Sequence, residues 1–238
     1  MRHQPRGASY TTVLAVHGIQ GTYAAWLPVA KACESQARFV MPNLRGRGDA
    51  FRGQDPGDYT LRAFADDLQQ VVRDRLGASP FILAGWSMGV SVILEYLRLA
   101  DIAKPQGLIL LSGTPALSLT PWFTQDGDRL LDEVAEREKR LGLRQAADHQ
   151  AVAWTWEAIQ DTDHRASLAS VNIPTLIIHG TADNDTPVDH AHWLAEGIAH
   201  ADLSIVDGAG HNLLTENTEL VSQKIGDFIG ATTTYQEA

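Results

Sequence analysis

Ser87 is the residue of this sequence best placed to act as a nucleophile, because it lies in the segment Gly85-Trp86-Ser87-Met88-Gly89. The apolar run Phe-Ile-Leu-Ala before it predicts a buried strand, and the pattern after it predicts a helix. A serine on so tight a strand-to-helix turn is pushed out over the end of the sheet, where flanking glycines avoid a Cβ clash. The helix N-terminus behind the serine favours developing negative charge. The segment therefore indicates nucleophilic catalysis, with an ordinary glycine-rich turn as the alternative.

A serine hydroxyl is a weak nucleophile that needs a base, and the base needs an acid to orient it. His211, in a Gly-Ala-Gly-His segment after the last predicted strand, is the candidate base. Asp183, just past another predicted strand, is the candidate acid, with Asp185 and Asp207 as rivals. The Thr-Pro that follows Asp185 favours a helix N-cap at that position instead. The order Ser87, Asp183, His211 is the one expected for this type of elbow.

Short apolar runs alternate with amphipathic stretches along the chain, which predicts βαβ units and a mostly parallel sheet with helices on both faces. About six strands are expected from these runs. The predicted strands are 12–16, 38–41, 80–84, 107–111, 174–178 and 203–206. The predicted helices between them are 60–76, 88–99 and 216–229. All three candidate catalytic residues then follow strand ends, where open α/β sheets place their sites.

The segment between the fourth and fifth predicted strands interrupts this alternation. It holds about 60 residues with no convincing strand, which is too long for a structureless loop in a compact domain. Residues 128–144 have a mixed-charge helical pattern. We therefore predict a helical lid insertion over residues 114–172, between core segments 1–113 and 173–238.

Composition limits the remaining possibilities. The chain has 238 residues with a net charge of −10, so it is a poor candidate for nucleic-acid binding, which depends on neutralising phosphates. No apolar run approaches the roughly 20 residues that a membrane span needs, and no signal peptide is visible. The single cysteine, Cys33, excludes an intramolecular disulfide and a cysteine-rich zinc site. A cytoplasmic protein with no nucleic-acid or membrane partner is expected.

Five ordered motifs resemble those of the α/β-hydrolase family, and the resemblance covers nearly the whole chain. They are His17-Gly18-Ile19, the loop Asn43-Leu-Arg45-Gly46-Arg47-Gly48, the Gly-x-Ser-x-Gly elbow, the Gly-x-x-Asp-x-x-x-Pro segment 180–187 and the Gly-x-Gly-His segment 208–211. The resemblance implies the three-layer α/β-hydrolase fold. The family usually begins with an antiparallel hairpin, whereas residues 1–11 alone precede the first predicted strand here. We therefore expect the N-terminal hairpin to be absent.

By the same resemblance, the backbone N–H groups of Ile19 and Met88 form the oxyanion hole, and His17 braces the oxyanion loop. Loss of one such donor typically costs about 10²–10³ in rate. Simple packing is the alternative interpretation of Ile19.

Several aromatic side chains are candidates for an apolar acyl pocket beneath the lid. The alternative is that they only attach the lid to the core. These predicted substrate-binding residues are Trp86, Trp122, Phe123, Trp154 and Trp156.

The basic segment 137–144 predicts a solvated helix face, with docking of an acidic acyl-carrier protein or of an acidic substrate as the alternative. The elbow Gly-Trp-Ser-x-Gly also resembles that of esterases acting on carrier-bound pimeloyl methyl ester.

The sequence thus predicts a serine hydrolase that cleaves an ester, thioester or lactone of a small, partly apolar acyl substrate through an acyl-enzyme on Ser87. This mechanism needs no metal and no organic cofactor. His190 and His192 fall on different helix faces, which argues against a metal site. Other chemistry on the same triad remains open, namely carbon–carbon bond hydrolysis, cofactor-free perhydrolysis or acyl transfer. A hydrolase-derived protein that only binds a small ligand is a further alternative.

Overall fold

A computed structural model of the chain describes residues 11–143 and 145–234. The described residues form six strands in one parallel sheet, as predicted. The strands are β1 (Thr11–Val16), β2 (Ala37–Val40), β3 (Phe81–Trp86), β4 (Gly107–Leu111), β5 (Thr175–Gly180) and β6 (Ala201–Val206). The predicted absence of an N-terminal hairpin concerns residues 1–10 and lies outside the described part of the chain.

Helices cover both faces of the sheet. The α-helices are α1 (Leu27–Ala32), α2 (Leu61–Val71), α3 (Met88–Tyr96), α4 (Gly127–Leu141), α5 (His149–Ile159), α6 (Asp189–Gly197), α7 (Leu213–Glu216) and α8 (Thr218–Thr234). Short 3₁₀ turns occupy Tyr23–Trp26, Pro56–Tyr59, Leu117–Leu119 and Arg165–Ser170, and one π turn occupies Val72–Leu76. No helix within residues 11–143 and 145–234 has the length and apolar character that a membrane crossing requires.

The predicted helix over 60–76 illustrates how local sequence sets these elements. The Thr60 side chain caps α2 by accepting a hydrogen bond from the Ala63 N–H at 3.2 Å. Leu61, Phe64 and Leu68 recur at helical spacing and are all buried. The last turn widens into the π turn and ends at a glycine with a φ of 58°.

The order of the strands determines where the site lies. The sheet order is β2-β1-β3-β4-β5-β6, so the chain runs outward from β1 to β2 and then crosses back to β3 on the other side of β1. This reversal is the topological switch point at which open α/β sheets bind ligands. The loops that follow β1 and β3 leave the sheet there, from neighbouring strands.

Two apolar clusters, one on each face of the sheet, make up the core. The alternation of β1 shows the division, because Leu14 and Val16 belong to one cluster while Val13 and Ala15 belong to the other. The first cluster continues into the segment between β4 and β5, where Leu130, among other residues, packs onto it. That segment contains α4, α5 and two 3₁₀ turns, so its predicted helical character is confirmed, while the lid boundaries at 114 and 172 stay a prediction.

Candidate active site

Ser87 sits on a strained turn between β3 and α3. Its φ is 58° and its ψ is −124°, a backbone conformation that costs a non-glycine residue on the order of 1–3 kcal/mol. The Ser87 N–H donates to the Leu111 carbonyl of the neighbouring strand at 2.9 Å, which helps to hold the turn. Strain of this kind is found at functional sites that the surrounding structure over-determines.

The glycines on either side of Ser87 are required by close backbone contacts. A Cβ on Gly89 would lie 2.4 Å from the Val16 carbonyl oxygen of β1. A Cβ on Gly85 would lie 2.7 Å from the carbonyl carbon of Gly89. Both distances are too short for real atoms. The predicted Cβ clash is therefore the reason that this sharp turn has glycine on both sides of the serine.

His211 and Asp183 approach Ser87 from the ends of β6 and β5. His211 Nε2 is 2.9 Å from Ser87 Oγ, and His211 Nδ1 is 2.9 Å from Asp183 Oδ2. The loops that carry the two residues follow β6 and β5, and they are joined by a 2.9 Å hydrogen bond from the Ala182 N–H to the Ala209 carbonyl. All three side chains are buried, with exposures of 1% for Ser87, 6% for His211 and 4% for Asp183.

The hydrogen bonds of Asp183 and His211 define their roles in this arrangement. Asp183 Oδ1 accepts the N–H groups of Asp185 and Thr186 at 3.0 and 2.8 Å, so its carboxylate is fixed in the loop. A carboxylate beside Nδ1 favours the tautomer that carries its proton there, which leaves Nε2 free to accept the serine proton. Trp86 packs against His211, with the centres of the two rings 5.5 Å apart. Its indole N–H donates to the His211 carbonyl at 3.0 Å.

The loop after β1 lies against the nucleophile. A Cβ on Gly18 would be 3.0 Å from Ser87 Cβ, so the loop passes directly beside the serine at the residue before Ile19. His17 braces this loop as predicted, because its Nε2 accepts the Leu44 N–H at 3.0 Å while Nδ1 donates to the Gly18 carbonyl at 2.8 Å. Burial lowers the pKa of His17 to about 3, so the ring is neutral at physiological pH.

This combination of fold, strained serine turn and Ser–His–Asp geometry matches a known family. Residues 13–223 match the family model described as "Alpha/beta hydrolase family". The chain belongs to this family. It is a hydrolase with the α/β-hydrolase fold.

Known hydrolases resemble the chain along most of its length. AB hydrolase superfamily protein YisY of Bacillus subtilis (strain 168) is 31% identical over 219 residues, covering 80% of this chain and 81% of that protein. Pimeloyl-[acyl-carrier protein] methyl ester esterase of Nitrosomonas europaea is 25% identical, covering 84% of this chain and 88% of the esterase. The solved esterase EaEST of Exiguobacterium antarcticum has a TM-score of 0.79 at 21% identity, covering 93% of this chain and 92% of its own, which shows the shared fold.

Asp185, the rival acid, has different partners in the hydrolase. Its carboxylate binds Arg137 Nε at 3.3 Å and Arg140 Nη2 at 2.8 Å, both from α4. Burial alone would raise the pKa of Asp185, but the two guanidinium groups outweigh it and lower the pKa to about 2. The predicted helix N-cap at Asp185 is wrong, because α6 begins only at Asp189 and has no side-chain cap.

The prediction of a solvated basic face on α4 is also wrong for Arg137. Its side chain is 4% exposed, whereas that of Arg140 is 55% exposed, and residue 144 lies outside the described residues. Arg137 Nη1 donates to Gln20 Oε1 at 2.6 Å. One guanidinium therefore contacts both the loop after β1 and the loop 181–188 between β5 and α6, called here the acid loop because it carries Asp183 and Asp185. The signal for its burial was its spacing, since Leu130 and Val134 precede it at i−7 and i−3 on the same helix face.

The aromatic residues predicted to bind substrate divide into three groups. Trp122, Phe123 and Trp156 form one cluster, with ring centres 5.8 Å apart for the two tryptophans and 5.6 Å apart for Phe123 and Trp156. Trp154 instead packs at 6.0 Å from Tyr59. Trp86 belongs to the core cluster on the other side of the sheet and supports His211 as described above.

The Trp122 cluster contacts the acid loop directly. The indole N–H of Trp122 donates to Thr186 Oγ1 at 3.3 Å. The guanidinium of Arg137 lies over the rings of Trp122 and Phe123, at 5.8 and 5.4 Å from their centres. This side of the site is therefore apolar, with one buried cation.

The site also contains three groups of metal-ligating type. Ligand atoms of Asp183, Asp185 and His211 lie within 4.8 Å of one another, close enough to share an ion. Each group already has protein partners, however, because Asp185 binds two arginines and Asp183 binds His211 and two backbone N–H groups. The arrangement suits an acid–base relay better than an ion.

Proposed function

We propose that this protein is a serine hydrolase that cleaves an ester, thioester or lactone of a small, partly apolar substrate through an acyl-enzyme on Ser87. The observation that carries the proposal is the pair of 2.9 Å contacts that joins Ser87 Oγ to His211 Nε2 and His211 Nδ1 to Asp183 Oδ2. Such a chain of hydroxyl, imidazole and carboxylate is what activation of a serine requires.

The reaction follows from these contacts. His211 Nε2 takes the proton of Ser87 Oγ while the oxygen attacks the acyl carbon. The carbonyl electron pair moves onto oxygen, and the N–H groups of Ile19 and Met88 stabilise this oxyanion. The tetrahedral intermediate collapses, and His211 protonates the leaving alcohol or thiol. His211 then deprotonates water, which attacks the acyl-enzyme and releases the carboxylic acid and free Ser87.

The availability of the two oxyanion donors supports this scheme. Within residues 11–143 and 145–234, neither the Ile19 N–H nor the Met88 N–H has a protein acceptor. Met88 is the first residue of α3, where an N–H lacks an intrahelical partner and the helix dipole is positive.

The walls of the site support a small, partly apolar substrate. Ser87 is almost completely buried, so a bulky acyl group does not fit without movement of the walls. The cluster of Trp122, Phe123 and Trp156 supplies apolar surface next to the acid loop. The names of the esterases from Nitrosomonas europaea and Exiguobacterium antarcticum point to the same reaction class.

A free small molecule is a better substrate for this site than an acyl group on a carrier protein. Docking of an acidic carrier would use exposed cations, but Arg137, within the predicted basic segment, is buried and paired with Asp185. Within the described part of that segment, 137–143, Lys139 and Arg140 are the exposed cations. Two exposed cations are a weak electrostatic footprint for an acidic protein.

Replacement of the nucleophile tests the proposal. Wild type and Ser87→Ala are assayed with p-nitrophenyl esters, thioesters and lactones of graded acyl length, and both are treated with a fluorophosphonate probe. We expect Ser87→Ala to lose up to about 10⁶ in kcat, as found when a triad serine is removed elsewhere, and to escape labelling. Ser91→Ala is the matched control, because Ser91 is a buried serine of α3 that donates to the Thr114 carbonyl.

Two results would contradict the proposal. If Ser87→Ala keeps more than a few per cent of the ester hydrolysis, the nucleophile is another residue. If the wild type is neither labelled nor active, the protein binds a ligand without turnover. Labelling without hydrolysis of any substrate would indicate other chemistry on the same triad, such as carbon–carbon bond hydrolysis, perhydrolysis or acyl transfer.

A further inference from the structure

Arg47 is a fully buried cation in the loop that follows β2. Its side chain has 0% exposure, and its guanidinium donates to three neutral oxygens. These are the Ile19 carbonyl, the Arg45 carbonyl and Thr155 Oγ1. None of the ion pairs found among the described residues includes Arg47. Burial lowers its pKa to about 9, against smaller opposite effects of Tyr59 and Asp148, so the group is charged at neutral pH.

A buried charge without a contacting counter-ion is costly. Several kcal/mol are needed to remove an ion from water, and an apolar side chain of similar volume is often no less stable at such a position. Phe64, whose ring centre lies 5.5 Å from the Arg47 guanidinium, and hydrogen bonds to neutral oxygens offset only part of that cost. The placement of Arg47 therefore calls for a role besides packing.

The strongest contacts of Arg47 are with the oxyanion loop. Nε and Nη2 both donate to the Ile19 carbonyl oxygen, at 3.1 and 2.6 Å. Two donors from one planar group fix the carbonyl in direction as well as in position. The next residue, Gln20, is held from the other side, because its side chain donates to the Val134 carbonyl and its own carbonyl accepts the Ala147 N–H.

We propose that Arg47 is a positioning residue for the oxyanion hole. By fixing the Ile19 carbonyl it restrains the backbone of Ile19, so that the N–H of the same residue, in the preceding peptide unit, points at the developing oxyanion, and it adds a buried positive charge to this loop. This inference rests on the proposed function. The negative charge on the substrate oxygen exists in the transition state and not in the bound ester, so Arg47 acts on kcat and leaves KM nearly unchanged. Low polarity around the guanidinium strengthens the effect of its charge.

Three variants separate the hydrogen bonds, the charge and the packing. Arg47→Met removes both the charge and the donors but keeps an apolar side chain. Arg47→Lys keeps the charge and loses the planar pair of donors. Thr155→Val is the matched control, because it removes a contact of Arg47 with α5 that does not involve Ile19.

The measurements are kcat and KM for a p-nitrophenyl ester, and the affinity for a trifluoromethyl ketone that forms an oxyanion adduct with serine. Titration with a fluorophosphonate counts the active sites, so rates refer to folded enzyme. We expect Arg47→Met to lower kcat about 100-fold, the effect of losing one oxyanion donor, with KM within about threefold. The ketone affinity falls in parallel, Arg47→Lys is intermediate and Thr155→Val resembles the wild type.

The inference is overturned if the Arg47 variants keep the wild-type kcat per titrated site, or if KM rises while the ketone-to-ester affinity ratio stays constant. If Arg47→Met fails to fold, Arg47→Lys is the test. A wild-type kcat per titrated site and a wild-type ketone-to-ester affinity ratio in that variant would also overturn the inference. Failure of the proposed function looks different, because Ser87→Ala would then retain its activity whatever the Arg47 variants do.

Discussion

Asp183 and Asp185 are two residues apart in one buried loop, yet they have different partners. Asp183 contacts the imidazole of His211, whereas Asp185 contacts the guanidinium groups of Arg137 and Arg140. The second contact holds α4 onto the loop. In the proposed function the first contact sets the tautomer of the base, so the same carboxylate chemistry would serve catalysis at Asp183 and attachment of α4 at Asp185.

Replacement of each aspartate by asparagine should separate these two roles. We expect Asp183→Asn to lower kcat by about 10⁴, the loss measured when the triad acid of a serine protease was changed in this way. Asp185→Asn should lower kcat less than about tenfold. It should instead reduce the free energy of unfolding by roughly 3 kcal/mol, because Arg137 loses the counter-charge of a buried pair.

Steady-state kinetics and urea unfolding of both variants check this expectation. Each variant serves as the control for the other, since both changes are isosteric and lie in the same loop. The reverse ranking of kcat would assign the acid role to Asp185. Equal losses of stability would mean that the arginine contacts contribute little.

At the residue scale, the grouping of Ser87, His211 and Asp183 was predictable from the sequence and the arginine contacts were not. Ser87, His211 and Asp183 each lie in a short sequence motif whose residue types indicate the chemistry proposed for them. The contact of Arg47 with Ile19 spans 28 residues, and that of Arg137 with Gln20 spans 117. Such contacts depend on how loops and helices dock in three dimensions, which local spacing does not encode. Spacing could indicate that Arg137 is buried but could not name its partner.

At the scale of elements, the segment between β4 and β5 is attached to the loops that carry the site. The Gln20 side chain donates to the Val134 carbonyl of α4 at 2.8 Å. The Asn212 side chain, next to His211, donates to the Leu141 carbonyl at 3.2 Å. These two hydrogen bonds tie the segment to the loop after β1 and to the loop that carries His211, so a displacement of the segment would break contacts with both loops.

The two tryptophans of α5 should have different effects on acyl-chain selectivity. Trp156 packs with Trp122 and Phe123, whereas Trp154 packs on Tyr59 and provides a matched control. Each buried CH₂ contributes about 0.8 kcal/mol, or roughly fourfold in kcat/KM, until the pocket is full. We expect wild-type kcat/KM to rise over several acyl carbons and then fall.

Trp156→Ala should flatten that rise while leaving activity on the shortest ester, and Trp154→Ala should keep the wild-type profile. A series of p-nitrophenyl esters from acetate upward measures both. A flat wild-type profile, or an unchanged profile in Trp156→Ala, would show that these aromatics serve only to attach α5 to the core. The acyl pocket would then lie within the core.

Strands were easier to predict than helix ends. All six predicted strands lie within two residues of the observed ones, because short apolar runs between turn residues have few other solutions in a buried parallel sheet. The helix predicted over 216–229 is instead divided, because its first residue, Glu216, ends the short helix α7 and the rest, from Thr218, belongs to α8. Tertiary contacts decide where helices begin and end. They also decide the partner of Asp185, whose carboxylate binds two arginines and does not cap a helix.

At the scale of the whole molecule, the buried histidines bind protons less readily in the folded chain than in the unfolded chain. Four buried histidines have a pKa lowered by burial, and they come from separate parts of the chain: His17, His164, His179 and His190. The pKa falls to about 3 for His17 and to about 4 for His190. The unfolded chain therefore binds protons below pH 6.5 that the folded chain does not, and acid favours unfolding.

His17 shows the structural origin of this effect. Its Nε2 accepts the Leu44 N–H, so a proton added there would point one N–H group at another. Between about pH 6.5 and pH 5, His17 and His190 should each lower the free energy of unfolding by up to about 1.4 kcal/mol per pH unit once the unfolded form is charged. The contribution of Asp185, whose pKa is lowered to about 2, is lost only at lower pH and does not enter this window.

Urea unfolding at pH 7, 6 and 5 measures the slope, and His17→Gln should reduce it by the share of one histidine. His200→Gln is the control, because it removes an imidazole whose side chain is exposed. Ionic strength is held high, so that the charge repulsion of a chain with a net charge of −10 is screened equally at each pH. A stability that stays constant from pH 7 to pH 5 would mean that the buried imidazoles can take up protons in place, which requires the His17–Leu44 contact to open without loss of the fold.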